Sequence, residues 1–148
     1  MCDQCNYESL LSNADLEATT HRLQVLEIVG NNTFPLSAGD IYTILERTRS
    51  INRVTVYRIL DLLVEHGVVD RISTGGRAFY YGIAPNKHHK PHPHFYCRIC
   101  GQMDCLSPES LTVDIAPLLK TYPGQIEKVE IRIDGICKNC AKMGKKQV

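Results

Sequence analysis

Three stretches in the first half of the chain place apolar side chains three or four positions apart, which is the spacing of an amphipathic helix. Ser37 followed by Asp40 forms a variant of the capping box and predicts the start of the second helix. Gly67 is a natural end for the third helix. The three predicted helices have the sequences THRLQVLEIVGNN, SAGDIYTILERT and NRVTVYRILDLLVEHG.

After Gly67 the pattern changes to the short β-rich runs of a hairpin. The segment VVDRISTGGRAFYYGI has two such runs around the turn residues Ser73-Thr74-Gly75-Gly76. Three helices followed by a hairpin is the order of a winged helix-turn-helix domain, whose third helix, here VTVYRILDLL, inserts its N-terminal turn into the major groove. A small helical domain with a merely amphipathic third helix is the alternative that the periodicity leaves open.

The second half of the chain predicts a smaller module of mixed structure. FYCRIC and GQMDCL are strand candidates, and PESLTVDIAPLLKTY is a predicted helix with Pro108 in its first turn. QIEKVEIRIDGIC alternates apolar and charged residues like a half-buried strand. A module of about fifty residues is small for an independent core, so we expect dimerisation or a structural metal to stabilise it.

These patterns predict an α+β protein with two domains. We expect a winged helix-turn-helix DNA-binding domain over residues 1–83, a hinge linker over 84–87, and a small α/β metal-binding dimerisation domain over 88–148. No stretch approaches the roughly eighteen consecutive apolar residues of a membrane span, and the N-terminus lacks the order of a secretory signal. We therefore expect a cytoplasmic protein without a membrane partner.

The charge distribution adds a local feature to this picture. The formal net charge is +1, with −3 over residues 1–84 and +4 over residues 85–148. The first half is not a basic domain, yet four arginines fall within twelve residues, so a local positive patch for nucleic acid can form there. These arginines are Arg47, Arg49, Arg53 and Arg58.

The pairs Cys97-x-x-Cys100 and Cys137-x-x-Cys140 carry the strongest chemical signal. Two thiolates three residues apart on a tight turn bind one tetrahedral ion, and two such pairs complete a four-thiolate site for a structural Zn²⁺. Seven cysteines in a reducing compartment favour thiolates and metal over disulfides. Four buried or redox-active cysteines are the alternative. A third pair, Cys2-x-x-Cys5, has no assigned role.

A second cluster is predicted from HHKPHPHFYCRICGQMDC, residues 88–105, which holds four of the six histidines. His92 and His94 present their imidazoles on the same side of an extended strand, and Cys105 lies where a returning strand can face them. Nitrogen and sulfur ligands of this kind suit Zn²⁺ better than a hard ion such as Mg²⁺. A solvated histidine cluster beside a structural zinc is the alternative.

The order of these features resembles the ferric uptake regulator family, which includes the zinc uptake and peroxide stress regulators. The resemblance covers nearly the whole chain from about residue 19 to residue 142. It implies a homodimeric repressor whose metal-loaded form binds an AT-rich inverted repeat, and the ligand chemistry is closest to the zinc uptake branch. The matching stretches are LSAGDIYTIL, NRVTVYRILDLLVEHGVV, STGGRAFYY, HPHFYCRICG and the final CKNC.

The resemblance also implies roles for residues of this chain by position. The structural zinc site of many members corresponds to Cys97, Cys100, Cys137 and Cys140. The two regulatory histidines correspond to His92 and His94, and Cys105 stands where members place an acidic regulatory ligand. Asp70 stands where some zinc-responsive members place a hinge ligand, and His89, outside the resemblance, is a further candidate for the link to the winged helix. Residues that contact DNA correspond to Tyr57 and Arg58, with Thr55 and, in the wing, Arg77 as weaker additions.

Two positions depart from the pattern of the iron and peroxide sensors. Pro35 stands where those proteins usually have a histidine, and Tyr81 stands where they have an acidic ligand at the end of the wing. Losing two nitrogen or oxygen ligands while gaining the thiolate of Cys105 moves the site from iron toward zinc. Which residues replace the two missing ligands stays open.

We therefore predict a zinc-responsive DNA-binding repressor of metal-uptake genes, with one structural and one regulatory zinc in each chain and iron as the alternative metal. An iron- or peroxide-responsive repressor of the same family and a constitutive DNA-binding protein with structural zinc only are the rival predictions. An enzyme is not expected. A zinc deaminase needs H-x-E with P-C-x-x-C, whereas this chain has His92-Pro93-His94 and places Tyr96 before Cys97.

Overall fold

The computed structural model describes residues 6–48 and 50–147. They form two compact units, the first ending at Pro91 and the second beginning at His92. Cys2, Cys5 and Arg49 lie outside the described residues. The helices are α1 (Tyr7–Asn13), α2 (Thr20–Asn31), α3 (Ala38–Glu46), α4 (Arg53–Glu65), α5 (Ala116–Thr121) and α6 (Lys138–Gln147); the strands are β1 (Leu36–Ser37), β2 (Val69–Ser73), β3 (Phe79–Ile83), β4 (His94–Cys97), β5 (Met103–Cys105) and β6 (Arg132–Gly135).

Helices α2, α3 and α4 build the core of the first unit, because each turns its aliphatic stripe inward. Each begins at a capping side chain, and Thr19, Ser37 and Asn52 accept hydrogen bonds from backbone N–H groups three residues further on. Helix α1, which was not predicted, packs Leu11 into the same core. The fully buried aliphatic side chains of this core include Leu11, Val25, Leu26, Ile41, Val56, Leu60 and Leu63.

An antiparallel sheet in the order β1-β3-β2 completes the first unit. Strands β2 and β3 form the predicted hairpin, paired from Val69 opposite Ile83 to Ser73 opposite Phe79. Gly75 takes a φ of 81° in the connecting turn, a conformation that glycine adopts without strain. The predicted order of helices followed by a hairpin is thus confirmed.

The second unit contains a mixed sheet in the order β5-β4-β6. Strand β4 pairs antiparallel with β5 and parallel with β6, and α5 lies between β5 and β6 in the chain. Helix α6 follows β6 after a short turn. Within the part of the chain that the structure describes, no helix is long and apolar enough to cross a membrane.

Two elements predicted for the second unit were wrong in their extent. The helix expected from Pro108 begins only at Ala116, because Pro117 has no N–H for a preceding helical turn and therefore stands at the start of the helix. The strand expected over QIEKVEIRIDGIC is restricted to β6, because its partner β4 begins only at His94. Val129, expected on its buried face, is 49% exposed.

Candidate metal centres and nucleic-acid interface

Four cysteine sulfurs gather where β4 ends and α6 begins. Cys97 is the last residue of β4 and opens a turn that Gly101 closes, with the Gly101 N–H donating to the Cys97 carbonyl at 2.9 Å. Cys137 directly precedes α6, whose first turn carries Cys140, and the Cys137 N–H donates to Cys97 Sγ at 3.3 Å. The sulfurs of Cys97, Cys100, Cys137 and Cys140 all lie within 4.8 Å of one another.

The spacing of these sulfurs fits a tetrahedral zinc ion. Zinc–sulfur bonds of about 2.3 Å place the sulfurs of a four-thiolate site roughly 3.8 Å apart, and Cys100 Sγ lies 3.9 Å from Cys137 Sγ. Hydrogen bonds from the backbone at Cys100 and Cys137 lower the pKa of the Cys97 thiol to about 6. The hydrogen bond with the Cys137 sulfur, together with burial, raises the pKa of Cys140 to about 12. Metal binding to such a set of ligands releases protons.

His92, His94 and Cys105 form a second cluster. The antiparallel register of β4 and β5 places His94 directly opposite Cys105, and His92 lies two residues earlier, on the same side of the chain. The two imidazole centroids are 4.6 Å apart, and the three ligand atoms lie within 4.8 Å of one another. Two nitrogens and one sulfur at this spacing fit a zinc ion that takes a further ligand in its fourth position.

The ligands of this cluster differ in their protonation states: the His94 imidazole is ready to bind a metal, whereas the Cys105 thiol must first lose its proton. Burial, the main cause, and repulsion from His92, a second one, together lower the pKa of His94 to about 4. The His94 imidazole is therefore neutral at neutral pH, which is the form that donates a lone pair to a metal. Desolvation raises the pKa of the Cys105 thiol, although much of the residue is exposed, and the Asp104 carboxylate adds to the rise. This thiol binds a metal by losing its proton.

The candidates for the remaining regulatory ligand, Asp70 and His89, belong to the first unit. Asp70 lies in β2 opposite Gly82. His89 ends a turn in which the backbone N–H groups of His88 and His89 donate to the side-chain oxygen of Asn86 at 2.7 and 3.1 Å. The metal-binding role of Asp70 and His89 stays a prediction.

The two positions that depart from the iron and peroxide sensors hold buried side chains. Pro35 is buried directly before β1. Tyr81 is 7% exposed in β3, opposite Leu36, and belongs to the hydrophobic core of the first unit. In the iron and peroxide sensors these two positions hold metal ligands, whereas in this chain their side chains are buried in the first unit.

The N-terminal end of α4 presents an outward face. Asn52 caps the helix by accepting a hydrogen bond from the Thr55 N–H at 2.8 Å. Tyr57 is 40% exposed and Arg58 is also exposed. Arg77 is exposed in the turn between β2 and β3, at the tip of the wing. The contact of these residues with DNA stays a prediction.

Two arginines, one of them from the predicted positive patch, hold α4 against its neighbours. The Arg53 guanidinium lies over the ring of Tyr42 in α3, 4.9 Å from its centroid. Arg71 of β2 contacts the Asp61 carboxylate of α4 at 2.7 Å and lies 5.2 Å from the centroid of the Phe79 ring in β3. These contacts join α4 to α3 and to strands β2 and β3. Contacts between separate elements leave no periodic pattern in a sequence. The basic residues in and near α4 could be noticed in the sequence, but their contact partners could not be predicted from it.

Comparison with known sequences identifies the family. The profile of the Ferric uptake regulator family matches residues 13–134. The chain belongs to this family. It is therefore a member of a family of metal-responsive transcription regulators, as predicted. The ferric uptake regulation protein of Bacillus subtilis (strain 168) is 31% identical over 115 residues, which are 76% of each chain.

Solved structures of the ferric uptake regulator family share the fold. The ferric uptake regulator of Helicobacter pylori, described with three functional metal binding sites, matches with a TM-score of 0.71 and 21% identity, over 95% of this chain and 97% of that one. A zinc uptake regulator solved in complex with zinc and DNA matches with a TM-score of 0.60 and 22% identity, over 96% of this chain and 99% of that one. These likenesses confirm the predicted α+β fold class.

Proposed function

We propose that this member of the ferric uptake regulator family is a zinc-responsive DNA-binding repressor of metal-uptake genes. The observation that carries the proposal is the cluster of His92, His94 and Cys105, with its three ligand atoms within 4.8 Å of one another. A thiolate beside two imidazoles is a borderline-soft ligand set that suits zinc. Asp70 and His89 are the candidates that we assign to the fourth position.

Two features of the first unit support zinc over iron. Iron(II) sites without haem commonly combine histidines with a carboxylate. At the positions where iron and peroxide sensors carry a histidine and an acidic ligand, this chain has Pro35 and Tyr81, both buried. The loss of these two ligands and the gain of the Cys105 thiol both move the metal preference toward zinc.

The four-cysteine cluster serves as the structural zinc site in this proposal. A bound Zn²⁺ supplies a tetrahedral cross-link between distant parts of the chain. Cys97 and Cys100 belong to the turn after β4, whereas Cys137 and Cys140 stand at the start of α6. These residues would therefore hold α6 to the end of β4 and stabilise a unit that has only a thin apolar core.

The DNA-binding surface of the proposal combines the exposed end of α4 with the wing. Tyr57 and Arg58 are exposed near the start of the helix and read base edges in the major groove, while Thr55 and Arg77 contact the phosphate backbone. We expect the operator to be an AT-rich inverted repeat bound by a homodimer. A zinc uptake regulator of similar fold was solved in complex with zinc and DNA, which supports DNA binding as the function of this fold.

Regulation in this proposal couples two domains within a cytoplasmic dimer. We assign DNA binding to residues 1–83, the hinge to 84–87, and metal binding with dimerisation to 88–148. Some contacts between the metal and its ligands would form only when the two domains are arranged for DNA binding. Such contacts would favour that arrangement by about 1–3 kcal/mol, the usual coupling free energy between two sites.

Replacing Cys105 with serine tests the assignment of the regulatory site. Cys105→Ser removes the soft ligand and nearly keeps the size of the side chain. Removing a group that only hydrogen-bonds to a metal ligand already lowers metal affinity by about tenfold or more. Loss of the ligand itself should therefore weaken zinc-dependent DNA binding by more than about tenfold. Binding is measured by fluorescence anisotropy at fixed free zinc, with zinc content measured in the same samples. The fold and the structural zinc should be unchanged.

A matched variant sharpens this test. Cys105→Asp introduces the acidic ligand that the resemblance places at this position, so the metal preference should move from zinc toward iron. Full zinc responsiveness in the serine variant would overturn the role of Cys105 as a regulatory ligand.

An iron-responsive repressor is the second candidate function. The observation that favours it is the 31% identity with a protein named as a ferric uptake regulation protein. Titrations with Fe²⁺ under anaerobic conditions and with Zn²⁺, each followed by DNA binding, separate the two functions. Activation by iron alone would replace the zinc assignment, and DNA binding indifferent to both metals would indicate a constitutive DNA-binding protein with structural zinc only.

A further inference from the structure

Val54 is an exposed aliphatic residue in the first turn of α4. Its side chain is 57% exposed, whereas Val56, Ile59, Leu60 and Leu63 of the same helix are buried in the core. The packing of the first unit therefore accounts for those four residues and leaves Val54 unexplained. Helix formation does not explain it either, because β-branched residues have a lower helix propensity than alanine or the unbranched residues.

The position of Val54 puts it on the DNA-binding face. Residues three, four and seven positions apart share one face of a helix, so Val54 lies with Tyr57, Arg58 and Asp61. Arg53, the residue before Val54, lies with its guanidinium over the ring of Tyr42 in α3. The γ-methyl groups of Val54 are therefore exposed beside the two side chains to which we assign base contacts.

The chemistry of valine limits what it can recognise there. Its side chain has no hydrogen-bond donor or acceptor, and the 5-methyl group of thymine is the apolar feature that a base edge presents in the major groove. The N-terminal residues of a recognition helix are those that contact base edges. Building on the proposed DNA-binding function, we propose that Val54 is a specificity-determining residue that selects thymine over cytosine at one position of each half-site.

Deoxyuridine isolates this contact, because it pairs like thymidine and lacks only the 5-methyl group. A duplex selected by the zinc-loaded protein from a randomised pool serves as the probe, and each thymine in turn is replaced by deoxyuridine. The affinity of the wild-type protein, measured by fluorescence anisotropy, should fall about fourfold at one thymine in each half-site, the factor that corresponds to one buried methylene group.

Val54→Ala removes both γ-methyl groups and should abolish that penalty at that thymine, while penalties at other thymines remain. Alanine has the higher helix propensity and the replaced side chain is exposed, so the circular dichroism spectrum and zinc content should match those of the wild type. Glu65→Ala is the matched control, because Glu65 is exposed on the same helix roughly 16 Å further along its axis. This control should keep the full penalty.

Two results would overturn the assignment of Val54 and leave the proposed function intact. One is a Val54→Ala protein that keeps every deoxyuridine penalty, and the other is a wild-type protein indifferent to deoxyuridine at all thymines. A pool that yields no enriched duplex would overturn the proposed function and, with it, the role of Val54.

Discussion

Gly101 is the residue on which the turn between Cys97 and Cys100 depends most directly. Its φ is +78°, and an L-residue in the left-handed region costs about 1–2 kcal/mol. Gly101→Ala should therefore lower the free energy of unfolding of the zinc-loaded protein by about that amount. Because the turn carries two of the four sulfurs, the variant should also lose its structural zinc faster to a chelator. Urea unfolding and the rate of chelator-driven zinc release measure the two effects.

Gly144→Ala provides the control for this prediction. Gly144 lies in α6, and an added Cβ would meet nothing within 4 Å, so alanine should stabilise the helix by up to about 1 kcal/mol. If both variants changed stability in the same direction, the backbone conformation of Gly101 would not be the cause of its effect.

Some of the candidate metal ligands could be predicted from the sequence more firmly than others. The four cysteines were predicted from spacing alone, because two CxxC pairs are sufficient to indicate one tetrahedral site. The meeting of His94 with Cys105 depends on strand register, which the sequence only made plausible. For the fourth regulatory ligand only the candidates Asp70 and His89 could be named from the sequence, because the choice between them depends on how residues distant in the sequence are arranged.

At the scale of whole elements, α4, which we propose as the recognition helix, depends on its N-terminal cap. The Asn52 side chain accepts a hydrogen bond from the Thr55 N–H at 2.8 Å, and losing such a cap costs about 1 kcal/mol. Asn52→Ala should therefore lower the free energy of unfolding by about 1 kcal/mol, measured by urea or thermal unfolding.

Asn52→Asp keeps a capping oxygen at the same position and is the control for this prediction. Aspartate caps helices about as well as asparagine, so this variant should retain nearly all of the stability. Equal destabilisation by alanine and aspartate would show that the side-chain cap does not stabilise α4.

The elements that could be predicted are those with a long amphipathic pattern or clear end signals. Helices α2, α3 and α4 have both. Helix α1 has only seven residues and one buried side chain, Leu11, so tertiary packing rather than a local pattern stabilises it. The helix predicted from Pro108 was wrong for a different reason. That prediction followed the spacing of the apolar residues and neglected Pro117, which is tolerated only in the first turn of a helix.

At the scale of the whole molecule, the apolar surface of the second unit agrees with the homodimer that we propose. A unit of this size cannot bury all its apolar side chains by itself, and exposed apolar patches commonly mark interaction surfaces. A second copy of the chain would cover such side chains. Those exposed in the second unit include Ile99, Leu111, Val113, Leu118, Leu119, Tyr122, Val129, Ile133, Ile136 and Met143.

The measurement that tests the zinc-responsive assignment most directly is the zinc content per chain during a chelator titration, with DNA binding followed in the same samples. The two clusters predict two classes of zinc, one held by the four thiolates and one by His92, His94 and Cys105. We predict two zinc ions per chain, the second released at lower chelator concentration and together with DNA affinity. One tightly held zinc per chain, with DNA binding unaffected by chelator or added zinc, would contradict the account.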